Sequence, residues 1–212
     1  MVINLNDGYA DVLSKISSSS ATPGGGSVAA LTLAHAHALG MMVSRLTLGK
    51  EKWLEGQDFA RKVIESSTEG IKRALSLADE DASAFDAVID SYNLPRDNDS
   101  QKSIRAEAIV SSTINAALVP LEIMRASSEF LQSIIGLSKT GNAYALTDLL
   151  ASSELAHASS RIASYNVRIN LDSLDDTDEK KNISQEMETL QNASVTSYST
   201  IESTILERLK WD

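Results

Sequence analysis

The sequence predicts an all-α domain: a bundle of about five long helices plus one short N-terminal helix, with one apolar helix central after a Gly-rich loop. Three observations carry this. Apolar residues recur at helical spacing through long segments, while the alternating, β-branched runs that mark strands are nearly absent. Only three prolines and ten glycines interrupt 212 residues. Aromatic residues make up 5% of the chain, so helices rich in alanine, serine and leucine can approach closely. A chain of this length can bury one sizeable core, and residues 1–212 are read as a single domain.

Residues 9–17 read as a short amphipathic helix, with Ala10, Val12, Leu13 and Ile16 on one side. The loop that follows ends in Ala21-Thr22-Pro23-Gly24-Gly25-Gly26-Ser27. Consecutive glycines are costly to order, so they belong where backbone turns sharply or lies close to another group. Two readings stay open: a flexible joint, or a turn presenting free helix N–H groups to an anion or carbonyl oxygen. No Gly-Lys-Ser/Thr follows and no strand precedes, which excludes a phosphate loop and a dinucleotide fingerprint. The second helix spans 27–48, with Ser27 as its N-cap. It is apolar all round over residues 28–43, which places it at the bundle centre and also favours a homo-oligomer. Gly40 marks a close helix crossing, and Gly49 ends the helix.

The next helix runs over 57–92 and is stopped by Asn93-Leu94-Pro95. Another covers 101–137 and contains Pro120, which removes a backbone hydrogen bond and is expected to kink or break it. Ser138 to Asn142 form a turn, and a helix follows over 143–171. Beyond a polar linker at 172–177, Asp176 and Glu179 are spaced for a capping box. The last helix carries Ile183, Met187, Leu190, Ile201, Ile205 and Leu209 as a stripe.

A formal charge of −10 and a pI near 4.8 exclude the basic face that a nucleic-acid partner requires. They equally disfavour docking on anionic lipid. Cysteine is absent, so there is no disulfide, thiolate metal site or cysteine nucleophile, which fits a reducing, cytoplasmic setting. The first residues lack the basic start and long apolar middle of a signal peptide. The apolar run at 28–43 falls short of the roughly 20 residues needed to span a bilayer, so no membrane segment is expected.

A helical wheel of the third helix gathers Val63, Ala74, Leu77, Ala84, Phe85 and Val88 on one side, opposite Asp79, Asp86 and Asp90. Asp81 falls within the apolar side. A carboxylate there must be paired, protonated or facing a cavity, and burial raises its pKa toward the range useful for proton transfer. A structural role, tied to a cation or a helix end, is the competing reading. On the helix over 143–171, Leu155, Ile162 and Ile169 define the core face, with Ala151 and Ala158 between them. Beside it runs a polar stripe of Asp148, Ser152, Ser159, Asn166 and Asn170, suited to helix–helix hydrogen bonds or to the wall of a pocket. His35 lies among Leu31, Leu39, Met42 and Leu46 as a core histidine; His37 lies nearer Met41 and Ser44, and His157 faces outward. No histidine pair has metal-site spacing with a third ligand nearby, so no metal is expected.

Thr22-Pro23-Gly24-Gly25-Gly26-Ser27-Val28-Ala29-Ala30 resembles the opening signature of the formiminotransferase-cyclodeaminase family, in its cyclodeaminase domain. The likeness continues through Thr47-Leu48-Gly49-Lys50, Asp79-Glu80-Asp81-Ala82-Ser83-Ala84-Phe85, Val119-Pro120-Leu121, Gly141-Asn142 with Asp148, and Asn166-Val167-Arg168-Ile169-Asn170. The resemblance implies a dimer-forming helical enzyme of folate one-carbon chemistry that needs neither metal nor organic cofactor. It would act either on 5-formiminotetrahydrofolate, releasing ammonia, or on 5,10-methenyltetrahydrofolate, adding water. The family's catalytic aspartate matches Asp81, as general base and acid. Pro23, Gly24, Gly25, Gly26 and Ser27 would hold the pterin or the reacting edge; Asn142, Asp148 and Asn166 would hydrogen-bond the pterin. Lys50, with Arg45 or Lys52 nearby, would attract the glutamate tail. A helical folate-binding or scaffolding protein that keeps the fold without the chemistry is the alternative.

Overall fold

The computed structural model describes Gly8 to Trp211, so the stretch read above for a leader lies mostly outside the described residues. Six α-helices follow one another: α1 Tyr9–Ile16, α2 Gly25–Thr47, α3 Gln57–Tyr92, α4 Asp99–Thr140, α5 Leu146–Asp172 and α6 Asp178–Leu209. Short 3-10 turns at Glu51–Gly56 and Ala143–Ala145 lead into α3 and α5. Among the described residues there is no strand. α2 packs against α3 and α5, and α4 packs against the same two helices, so the four close into a ring. α6 lies against α4 and α5 on the outside.

Small residues set how closely the ring closes. A Cβ on Gly40 would lie 2.9 Å from Phe130 Cζ and 3.3 Å from Ser152 Oγ, so the expected close crossing is there, against α4 and α5. Ser152 donates to the Ala36 carbonyl and Ser159 to the Ala29 carbonyl, both at 2.7 Å, stitching α5 to α2. A hydroxyl bonded this way occupies little more room than alanine and is itself satisfied.

Pro120 neither ends nor interrupts α4, which runs on to Thr140. The proline has no N–H, so the carbonyl of Ala116, one turn earlier, loses its helical donor. Asn170 of α5 supplies one: its Nδ2 donates to the Ala116 carbonyl at 2.8 Å. The vacancy in the α4 ladder is thereby turned into a link between helices.

Several sequence expectations are corrected. Ser27 is not the N-cap of α2; the helix starts earlier, with Gly24 in that position in extended conformation. The cap of α6 is Thr177, whose Oγ1 accepts from the Lys180 N–H at 3.2 Å, in place of the Asp176–Glu179 box. Phe85 is 42% exposed and Val88 only half-buried, because α3 reaches beyond α2 at that end. The buried face of α5 is made of Leu149, Ser152, Ser153, Ala156, Ser159, Ala163 and Val167, whereas Ile169 is 65% exposed and Leu155 and Ile162 are half-covered. His35 is exposed, and His37 is the buried histidine, at 6%. α2 has 23 residues, longer than its apolar run, and α2 and α4 are each long and apolar enough to cross a membrane by length and composition. For α2 the packing against three neighbours accounts for that apolarity.

Asn170→Ala should destabilise the fold by about 1–2 kcal/mol in urea or thermal unfolding, because a buried carbonyl loses its donor. In a Pro120→Ala background the restored N–H serves the same carbonyl, so the cost of Asn170→Ala should shrink; equal costs in both backgrounds would contradict the pairing.

Candidate active site

The N-terminus of α2 is the meeting point of three separate segments. Gly24, Gly25 and Gly26 bring the chain into the helix, and Asp81 reaches it from α3. A Cβ on Gly26 would sit 2.1 Å from Asp81 Oδ1, a separation no real atom can hold. Glycine at 26 is therefore required by the carboxylate rather than by an unusual backbone angle. Ser27 Oγ donates to Asp81 Oδ2 at 3.0 Å, and the Ser27 backbone N–H also bonds the carboxylate. With no side-chain cap of its own, α2 has its first N–H groups faced by a carboxylate from another helix. On the other side of Gly25, a Cβ would be 3.5 Å from Asn166 Nδ2, so Asn166 of α5 borders the same helix start.

Two influences on Asp81 oppose each other. Burial raises its pKa above the usual 3.8, and the Ser27 hydroxyl and N–H pull it down; burial prevails. The result is a carboxyl group that keeps its proton to higher pH than a surface aspartate.

Beside the loop lies a cavity of about 340 Å³, lined among others by Thr22, Pro23, Ser27, Lys15 and Asp79. Ser27 is the residue shared between this cavity and the carboxylate's hydrogen bonds. Asp79 is exposed and borders the cavity from the first turn below Asp81. Thr22 Oγ1 donates to Asp86 Oδ1 at 3.2 Å, which ties the loop to α3. Lys15, on α1, carries no motif, and only the structure sets it at the cavity.

The remaining sequence candidates are not brought here within one subunit. Lys50 follows the far end of α2, about 35 Å from Gly26 at the rise of a helix. Asn142 is at that same end, where its groups hold the chain together. Its N–H donates to Thr47 Oγ1 (3.1 Å), its Nδ2 to the Leu46 carbonyl (2.9 Å), and its Oδ1 accepts from the Tyr144 N–H (3.0 Å). Asp148, in the first turn of α5, is about five turns, or 27 Å, from Asn166. Lys52 Nζ lies 4.9 Å from both the Trp53 and Tyr144 ring centroids, a cation–π arrangement that holds the 3-10 turn. Among the described residues no group of three metal-binding side chains comes together.

Fold and site together define an all-α protein whose distinguishing feature is a half-buried carboxyl group at the N-terminus of its central helix. Residues 9–189 match the model of the formiminotransferase-cyclodeaminase family. The chain is 36% identical over 172 residues to a methenyltetrahydrofolate cyclohydrolase of Methylorubrum extorquens, covering 81% of this chain and 82% of the relative. It is 31% identical to the formimidoyltransferase-cyclodeaminase of Mus musculus over 76% of this chain, though over only 30% of that longer protein. A solved structure, a formiminotetrahydrofolate cyclodeaminase from Thermotoga maritima, superposes with a TM-score of 0.83 at 25% identity, covering 99% of this chain and 98% of the other. The protein belongs to the formiminotransferase-cyclodeaminase family.

Because its folded pKa is raised, Asp81 binds a proton at pH values where the unfolded chain has released it. Stability attached to the group is full below 3.8 and is lost as pH rises through the folded pKa. Asp81→Asn should therefore make the protein more resistant to urea at pH 7, with an advantage that fades as pH falls toward 3.8. A variant less stable at pH 7 than at pH 4, relative to the parent, would contradict this. Gly26→Ala should destabilise by about 1–3 kcal/mol, because the added methyl displaces the carboxylate.

Proposed function

We propose that the protein is a folate one-carbon enzyme that works on the bond between a one-carbon unit and nitrogen, with Asp81 as general base and acid. The observation that carries this is the carboxyl group of raised pKa set against Ser27 and the glycine turn, in a chain whose relatives are named for these reactions. In the cyclohydrolase reaction water adds to the methenyl carbon of 5,10-methenyltetrahydrofolate. Asp81 takes the proton as the new C–O bond forms and returns it to the ring nitrogen as that C–N bond breaks, giving 10-formyltetrahydrofolate. In the cyclodeaminase reaction the N10 nitrogen of 5-formiminotetrahydrofolate attacks the formimino carbon, Asp81 accepts the N10 proton, and the departing nitrogen receives it to leave as ammonia. Both pass through a tetrahedral carbon between two leaving groups, so both require proton transfer, and neither metal nor organic cofactor enters the proposal. The Methylorubrum extorquens relative carries the cyclohydrolase name and the Thermotoga maritima structure the cyclodeaminase name, so both reactions belong to the proposal.

In this reading the helix start, Pro23 to Ser27, together with Asn166, holds the reacting end of the folate. Lys50, Asn142 and Asp148 could join such a site only from a second copy of the chain. A homodimer, in a cytoplasmic setting, is part of the proposal. Its support is an uncovered apolar band: Leu46 and Ile169 are 46% and 65% exposed, and Leu31, Leu39, Met42, Leu155 and Ile162 between them are only partly covered.

Loss of methenyltetrahydrofolate absorbance, and its gain from formiminotetrahydrofolate, reads both activities. Asp81→Asn should lower kcat by about 10²- to 10⁴-fold and leave folate binding within a few-fold. Unchanged turnover would remove Asp81 from the mechanism. Ser27→Ala takes away a hydrogen bond that favours the ionised form, so the acidic limb of the pH–rate profile should move to higher pH. In sedimentation the protein should run as a dimer and Ile169→Glu as a monomer; a monomeric parent would count against the dimer.

A further inference from the structure

Halfway along α2 the contact at Gly26 and Asp81 is repeated in reverse. Here α2 offers the polar side chain and α3 the glycine: a Cβ on Gly70 would lie 2.3 Å from His37 Cε1. The imidazole is 6% exposed, its centroid is 4.3 Å from that of Phe130, and its Nδ1 is 3.0 Å from Ser67 Oγ. The other ring nitrogen, Nε2, has no hydrogen-bond partner among the described residues, yet it is not sealed off. His37 forms part of a cavity of about 270 Å³ between α3 and α4, bordered by Ser66, Glu69, Arg73, Glu129 and Ser133.

Apart from Arg73, the hydrogen-bonding groups that border that cavity are acceptors. Ser66 and Ser133 already donate their hydroxyl hydrogens to the Val63 and Phe130 carbonyls and present lone pairs. Arg73 is ion-paired with Glu80 through Nη1. Glu69 is paired with Lys72, whereas Glu129 has no ion-pair partner among the described residues. The Phe130 ring adds an aromatic wall. Burial holds His37 at a pKa of about 4, so near neutral pH the ring is uncharged and does not repel a cation.

We propose that the cavity over His37 binds a small primary ammonium, the ammonium ion included. The N–H groups of the guest go to Nε2, the serine oxygens and Glu129, and the imidazole takes the tautomer with Nδ1–H on Ser67. The site is about 16 Å from Asp81 along α3 and independent of the folate reading.

Histidine-labelled protein, titrated with methylammonium chloride and followed by NMR, tests this. The signals of the three histidines can be assigned with His35→Gln and His157→Gln. A saturable shift confined to His37 is expected. It should be absent with sodium chloride and with tetramethylammonium, which has no N–H to donate. Glu129→Gln, at an exposed position, should weaken binding by about tenfold. No saturable shift, an equal response to tetramethylammonium, or undiminished binding by Glu129→Gln would each overturn the proposal.

Discussion

One contact constrains the rest of the molecule: the Asp81 carboxylate lies directly on the Cα of Gly26, with Ser27 bonded to it. A half-buried carboxyl group costs free energy, and what offsets the cost is the set of unpaired N–H groups at the start of a helix. Those groups are within reach only if the first turn has no side chain on that side. The glycines, the early start of α2 and the approach of α3 are thus consequences of placing a single acid. The remaining imbalance, in favour of the protonated form, is the property that acid–base chemistry requires.

The same rule governs the interior more widely. At Gly26, Gly40 and Gly70 an absent side chain admits a group from a neighbouring helix: Asp81, Phe130 or His37. Buried serines extend the pattern: Ser152 and Ser159 tie their hydroxyls to carbonyls of α2, and the helix surface stays narrow. Close packing of this kind contributes dispersion and leaves few polar atoms unpaired. It also holds titratable side chains, Asp81 and His37 among them, away from bulk water.

Much of this was legible in the sequence. Helical periodicity located all six helices, the wheel put Asp81 on the wrong face for a solvated acid, and Gly40 announced a close crossing. The face of α5 was misread because bulk was taken as the mark of burial; the ring closes on serine and alanine, and Leu155, Ile162 and Ile169 fall outside it. His35 and His37 lie about 200° apart on α2, on nearly opposite faces, and a helix apolar almost all round offers no polar face by which to set the phase. The effect of Pro120 could not be read, since the remedy, Asn170, comes from a helix distant in sequence. The separation of Lys50 from the glycine turn was legible in principle: a helix as long as α2 must keep its ends far apart.

The central claim is that burial outweighs hydrogen bonding at Asp81. A carboxyl-carbon NMR titration of Asp81, with assignment by loss of the signal in Asp81→Asn, tests it most directly. A midpoint above the ordinary aspartate value of 3.8 is the predicted result. A midpoint at or below that value would mean that the helix start and Ser27 prevail, and that Asp81 is a structural cap rather than an acid–base group.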